Sequence, residues 1–504
     1  MRGAVLRTYH DGTKHTPRSV RESQHFLDWR NEPSKLKRYV GLEPTPLPPF
    51  VPTGVPALEA IAGSGGPDGD ARVGLEALSH LLFHSAGISR TFRSEVGEFH
   101  FRTYACAGAL YPVEVYVVAG EVQGLATGVY HYAPLEHGLT LLRDGDFRGS
   151  LGLGGAQPGA ATLVLTGIPW RTAWKYASRG FRHLYWDVGM MLANLLASAA
   201  ALGVQARIHL GFVDRAANDV VAVDGHTEFA LCVVAIGRGE AAGAPDVADL
   251  DREVEPVSPR PGRDPRIEEA HRAMVLASGD DVRAFREGAL EAQARQDEQL
   301  FPPVTPLPPE ELSKDPLERV VRRRGSSRAL ARESMPASEF AAILDRAFVG
   351  VPGDWLRGGG TTRAVVMVAA LEGLAAGIHD YWPGGRFALL REGTFRGEAG
   401  YLCLEQRLGA DAAAVTFLLA DLNRALGALG DRGYAAAQVE AAIVAGRIYL
   451  GAYAQCLGTS GITFYDDDIR RFLSTELEPM LVVVSGPEGR RAAIRRCREV
   501  RRPS

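Results

Sequence analysis

Three stretches of the chain carry residue types that could do chemistry. The first is Ala105-Cys106-Ala107-Gly108-Ala109-Leu110-Tyr111-Pro112, in which small residues run up to a bulky Leu-Tyr-Pro. No large side chain intervenes, so something flat could approach this backbone closely. The same composition also makes an ordinary tight turn. The second is Val320-Val321-Arg322-Arg323-Arg324-Gly325-Ser326-Ser327-Arg328, whose alternating Arg and Ser donors suit a phosphate. The third is the pair His80 and His84, four apart on a helix-patterned stretch, a spacing that could seat zinc. No Glu follows His80 and the sequence offers no third ligand, so the pair reads as a helix-surface feature. A Gly-rich run, Gly63-Ser64-Gly65-Gly66-Pro67-Asp68-Gly69, lacks both a preceding strand and a following Lys-Ser/Thr. It reads as a surface loop.

The elements that must hold these stretches follow from residue patterning. Residues 113–118 are β-branched and aromatic and predict a strand directly behind the small-residue loop. Further strands are expected at 128–134, 163–166 and 229–236, and a helix over 75–83. From about 185 to 202 the pattern is apolar almost all round, which predicts a helix buried in the domain centre. Residues 1–50 are polar and end in Glu43-Pro44-Thr45-Pro46-Leu47-Pro48-Pro49, the composition of an extended arm rather than a core element. Pro256, Pro259, Pro261 and Pro265 mark a linker within 241–310, with charged helices expected near 266–277 and 281–296.

Composition narrows the class. The 504 residues are 46% hydrophobic and 23% charged, as in folded globular proteins. A net charge of -4 gives no general attraction to nucleic acid or acidic membranes. Cys106, Cys232, Cys403, Cys456 and Cys497 form no CxxC pair and no disulfide framework, which suits a cytoplasmic location. No uninterrupted apolar run approaches ~20 residues, so no membrane span is expected. His10, Asp11, Lys14 and His15 leave no room for a signal-peptide core. The basic run Arg490-Arg491 and Arg495-Arg496-Cys497-Arg498 reads as a solvated or interdomain surface, with phosphate binding as the sharper alternative.

The chain also repeats itself. Gly124-Leu125-Ala126-Thr127-Gly128-Val129-Tyr130-His131-Tyr132 matches Gly373-Leu374-Ala375-Ala376-Gly377-Ile378-His379-Asp380-Tyr381. Residues 141–149 match 389–397, Arg179-Gly180-Phe181 matches Arg432-Gly433-Tyr434, and Leu202-Gly203 matches Leu457-Gly458. The matches stay in order and about 250 residues apart, so the chain is two copies of one α+β unit, an intramolecular pseudo-dimer. The copies differ where chemistry would sit. The second has Gly353-Asp354-Trp355-Leu356-Arg357-Gly358 in place of the small-residue loop, and Ala428-Leu429 in place of Lys175-Tyr176. The first has no counterpart of the Arg-Ser run. The expectation is one composite site between the copies.

With these residues in view, the chain resembles the nitroreductase-fold flavin enzymes, and among them the SagB-type (McbC-like) azoline dehydrogenases in a tandem form. The resemblance rests on residues 9–15, 27–29, 37–39, 106–112, 128–132, 175–179, 212–214, 324–328 and 458–467. It implies two units, 51–240 and 311–504, each with a central, mostly antiparallel sheet flanked by helices. The arm 1–50 precedes them and the linker 241–310 joins them. It implies one FMN, with Arg324, Ser326, Arg328 and Arg490 or Arg491 on its phosphate and polar edges. Thr459, Ser460 and Gly461 are implied as backbone donors, and Cys106, Ala107, Gly108 and Ala109 as the ring-side loop. Lys175 and Tyr176 match a catalytic Lys-Tyr pair, Lys175 taking the proton and Tyr176 relaying it or orienting the ring. The implied reaction removes two hydrogens from a peptide thiazoline or oxazoline, beside a cyclodehydratase partner. No metal, nucleic acid or membrane is implied. Two other readings remain open: an NAD(P)H-dependent reductase of small electron-poor molecules, and a flavin-free scaffold subunit.

Overall fold

A computed structural model describes residues 3–66, 69–95, 97–291, 304–306, 308 and 311–489. The chain begins with helices α1 (Ala4–Gly12), α2 (Ala57–Gly63) and α3 (Leu75–Ala86). A two-stranded ribbon follows, β1 (Ile88–Ser94) and β2 (Gly97–Arg102). Next come β3 (Val113–Ala119), β4 (Gly128–Ala133), β5 (Gly138–Asp144) and β6 (Ala161–Gly167). Helices α4 (Pro169–Tyr176) and α5 (Gly180–Ala201) lead to β7 (Ala206–His209), α6 (Asp214–Val221) and β8 (Phe229–Ile236). After α7 (Pro265–Met274) and α8 (Gly279–Glu287) the succession restarts with α9 (Leu317–Arg323) and α10 (Ala337–Ala347). It continues through β9 (Arg363–Val368), β10 (Gly377–Trp382), β11 (Arg386–Glu392) and β12 (Ala414–Ala420). It closes with α11 (Leu422–Leu429), α12 (Gly433–Ala454), β13 (Gly458–Ile462), α13 (Asp466–Leu473) and β14 (Glu478–Gly486).

The repeat in sequence is a repeat in topology. One sheet runs β5-β4-β3-β6-β8-β7, with Thr45–Pro46 added outside β5; the other runs β11-β10-β9-β12-β14-β13. Neighbours in both are antiparallel. Strands β3, β6 and β8 are buried at every residue, which is why they read as largely apolar runs broken only by Glu114, Thr162 and Thr166.

The units meet through α5 and α12, each 22 residues long and almost wholly buried. The contact is close because small residues face each other at equivalent helix positions. A Cβ on Gly189 would lie 2.4 Å from the Ala442 methyl, and one on Gly446 2.5 Å from the Ala193 methyl. Reciprocal ion pairs tie the ends. Arg179 and Arg182 bind Asp466 at 2.9 and 2.7 Å, and Arg432 binds Asp214 at 2.9 Å. All five side chains are buried, and the two guanidiniums hold the Asp466 carboxyl far below the usual carboxylate range against the cost of its burial.

Several expectations need correction. The N-terminal stretch is not merely an extended arm: α1 buries Leu6 and Tyr9, and the backbone N–H groups of Leu6 and His15 donate to Asp431 and Asp466 of the second unit, each at 2.9 Å. Its polar residues signalled exposure, but His10, Thr13 and Lys14 find buried partners. His80 and His84 are not a helix-surface pair. Both are buried, and His80 Nε2 lies 3.1 Å from the Glu318 carboxylate across the unit boundary. The Gly-rich stretch exposes Gly63 and Gly66 as a surface loop would, but Ser64 between them is buried and its carbonyl accepts a bond from Arg447 at 3.0 Å. Residues 169–201 are long and apolar enough in composition to cross a bilayer, yet 89% of the apolar window is buried inside the protein. Uninterrupted-run counting missed it because Arg182 and Asp187 interrupt the run, and both are satisfied internally.

Asp466→Ala should leave two buried guanidiniums without their carboxylate and cost roughly 3–5 kcal/mol of unfolding free energy. Urea unfolding would measure it, and a loss below about 1 kcal/mol would show that the pairing does not hold the units together.

Candidate active site

The small-residue loop is built by its neighbours rather than by its own preferences. Gly108, Ala109 and Tyr111 all have positive φ (63°, 55° and 47°), costly for the two residues with a Cβ. External bonds impose this shape. Arg171 Nη1 donates to the Tyr111 carbonyl (2.9 Å), and the Tyr111 hydroxyl accepts from the Arg102 amide (3.1 Å). The Asp187 carboxylate, from the middle of α5, accepts the Ala107 N–H (3.1 Å) and the Cys106 thiol (3.0 Å). The Cys106 sulfur in turn accepts the Tyr111 N–H at 3.1 Å. Burial without a cation raises the Asp187 carboxyl to about 7, and burial beside that carboxylate pushes the Cys106 thiol well up. Cys106 is therefore a protonated donor that fixes the loop.

Across this loop stand Lys175 and Tyr176, delivered by the last turn of α4. A Cβ on Gly108 would come within 2.8 Å of the Tyr176 hydroxyl and 3.1 Å of Lys175 Nζ. That close approach explains why glycine stands there. The Tyr176 ring stacks on the His183 imidazole, centroids 4.1 Å apart and 8° from parallel. Burial and the nearby cations Arg179, Arg182 and Lys175 hold His183 neutral. Lys175 is half-buried and its side chain has no hydrogen-bonding partner among the described residues, so its ε-amino group is available to a ligand.

The opposite wall comes from the second unit. One cavity of about 1240 Å³ is lined by Cys106, Ala107, Gly108, Ala109, Lys175 and Tyr176 on one side. Arg324, Ser326, Arg328, Ser460 and Gly461 line it on the other. Arg324 bridges the units, donating to the carbonyls of Thr103 (2.9 Å), Arg102 (3.3 Å) and its neighbour Gly325 (3.1 Å). Arg328 is exposed to the cavity and makes no ion pair among the described residues. Arg319, Arg322 and Arg323 also line it, so this end of the cavity is cationic. Thr459 does not reach the cavity: it is buried behind the wall, its hydroxyl donating to the Val484 carbonyl and its N–H to Ser327. Arg490 and Arg491 lie outside the described residues. Asp187, His183 and Tyr449 line the cavity and were not singled out from sequence; a lone carboxylate inside an apolar helix was the available signal for Asp187.

The equivalent place across the pseudo-symmetry is filled. Trp355, fully buried, occupies the loop that corresponds to 106–112, and Glu440, the counterpart of Asp187, is consumed by the backbone and side chain of Thr361 and the backbone of Thr362. The outer edge of β7 is paired with this loop, the Ile208 N–H donating to Pro352 and the Asp354 N–H to Ile208. The corresponding edge strand of the other unit, β13, instead presents Ser460 and Gly461 to the cavity.

Comparison with known proteins agrees with this architecture. Residues 70–238 match the nitroreductase family model. Over 169 residues, 32% of this chain and 80% of the relative, the sequence is 29% identical to a Methanocaldococcus jannaschii protein named "Putative nitroreductase MJ1384". It is 30% identical over 146 residues to the microcin B17-processing protein McbC of Escherichia coli, spanning 27% of this chain and about half (54%) of McbC. A crystal structure of a protein of the same description as the first, from Anabaena variabilis, covers 96% of this chain and 99% of its own, with a TM-score of 0.74 at 24% identity. The segment 70–238 thus belongs to the nitroreductase family, and the chain as a whole takes that fold twice over. Its sequence is similar to that of McbC.

Asp187 supplies a test of the loop's anchorage. Its folded pKa, about 7, lies above the ordinary value of 3.8, so its ionisation opposes folding. Stability should be highest below about pH 4 on this account and fall, by a few kcal/mol, as pH rises toward 7. Asp187→Asn should abolish that part of the slope in urea unfolding at a series of pH values. An unchanged slope would mean the carboxylate is not the buried group described.

Proposed function

We propose that the chain is an FMN-dependent dehydrogenase that oxidises thiazoline or oxazoline rings in a peptide to azoles. The observation that carries the reading is the meeting of Lys175, Tyr176 and the Gly108 loop with the Arg-Ser segment of the other unit around one cavity. The residues present fit the group. The cationic end suits a dianionic phosphate, and the glycine at 108 leaves room beside the lysine and tyrosine for a flat ring.

Arg328 and Ser326 bind the phosphate and polar edge, and Arg324 fixes that wall to the first unit. Ala107, Gly108 and Ala109 line the ring plane, oriented by Asp187. Ser460 and Gly461 close the far side. Flavin mononucleotide bound between these walls would supply the hydride acceptor for the two-electron oxidation of the azoline. Lys175 takes the accompanying proton, and Tyr176, held by its stack on His183, orients the substrate ring at the loop. The similarity to McbC, a protein named for peptide processing, supports a peptide substrate, with a cyclodehydratase as the partner that forms the ring.

Lys175→Ala should retain flavin, read from the visible spectrum per polypeptide, while turnover of a thiazoline peptide is lost; loss of flavin instead would reassign the lysine to binding. Arg328→Ala should weaken flavin affinity by roughly 1.5–3 kcal/mol, a factor of about ten to a hundred, measured by fluorescence titration. Anaerobic bleaching of the flavin by a thiazoline peptide supports the dehydrogenase. Fast bleaching by NADPH, with none by the peptide, would favour a reductase of small molecules.

A further inference from the structure

The exposed aromatic side chains are not scattered. Among the described residues the large exposed aromatics are Phe26, Trp29, Phe92, Phe99 and Tyr401. All but Tyr401 sit on two segments beside the cavity mouth. Phe92 and Phe99 form a tilted cross-strand pair on the β1–β2 ribbon, centroids 6.5 Å apart, while Ser89, Arg90, Phe101 and Arg102 of the same ribbon line the cavity. Trp29 packs edge-on against Trp174 at 5.2 Å, next to Lys175, and the His25 ring bonds the Trp174 carbonyl at 2.9 Å. The two segments touch: Lys35 Nζ sits 5.9 Å from the Phe99 ring centroid, and Arg102 Nη2 donates to the Lys35 carbonyl at 2.9 Å.

Among the described residues neither segment has a copy in the second unit. Between α10 and β9 there is no ribbon where β1 and β2 stand between α3 and β3. The ribbon pairs with no other strand among the described residues, so its outer edges carry unpaired backbone donors and acceptors. Elements added only beside the open site, with apolar rings left in water, are fitted to what enters that site.

We infer that this ribbon and residues 26–35 form a docking rim for the extended peptide segments flanking the reacting ring, selecting aromatic and aliphatic side chains there. The inference rests on the peptide-dehydrogenase reading above. The ribbon edge supplies main-chain bonds and the four rings supply apolar cover, so the rim acts on binding and not on the chemical step.

The test uses the flavin-loaded full chain and two probes: a fluorescein-labelled decapeptide with a central thiazoline flanked by Phe and Leu, and a minimal N-acetyl thiazoline amide. The variants are Trp29→Ser and the double change Phe92→Ser with Phe99→Ser. Both should weaken decapeptide binding, by fluorescence anisotropy, about tenfold and raise its KM with kcat unchanged. Flavin content and kinetics on the minimal amide should not move. Equal affinity in the variants, or an equal loss on both probes, overturns the rim. A decapeptide that binds in a rim-dependent way but is not oxidised sinks the dehydrogenase reading and leaves the rim standing.

Discussion

The buried pairs Arg179–Asp466 and Arg432–Asp214 set the terms on which this molecule can fold. Each guanidinium sits at the start of one unit's long helix, and each carboxylate at the start of a short helix in the other. A docking out of register would bury one member of a pair without the other, and an unpaired buried charge is far more expensive than the pair is favourable. The charges therefore act as a registration device. They favour the one docking in which α5 and α12 cross with Gly189 against Ala442 and Gly446 against Ala193.

That contact shows what fusing two units into one chain permits. In a symmetric dimer, equivalent residues meeting on the axis must be identical, so both would be glycine or both alanine. Here each meeting has one of each, in alternation. The same freedom reaches the site. One half keeps a loop of small residues opposite a cationic segment, while its counterpart has traded them for Trp355 and a backbone pairing along β7. Closing one pocket adds apolar burial on that side. It also leaves the other free to acquire one-copy elements, the ribbon and the N-terminal segment, without building them twice.

The loop at 106–111 ties fold to site. Its positive-φ residues are held by Arg102, Arg171 and Asp187, groups on three different elements, so its shape is a property of the packed unit. Local strain of this kind persists only where the surroundings over-determine it. Cys106 takes part as a hydrogen-bond link between Asp187 and Tyr111.

The sequence by itself determined the repeat, the strands at 113–118 and 229–236 and the buried long helix of the first unit, and it raised the expectation of a site shared between copies, because periodicity, apolar runs and ordered matches are local or self-comparing signals. It also marked Lys175, Tyr176, Gly108 and Arg328 as the residues to watch. Tertiary structure alone decided that His10, His80 and His84 are interior, since a polar side chain is buried only when a distant partner such as Glu478 or Glu318 meets it. It alone set Thr459 behind the wall and Asp187 at the hinge of the loop. Those placements depend on crossings of elements hundreds of residues apart, and no pattern along the chain encodes which side chain a crossing brings to face another.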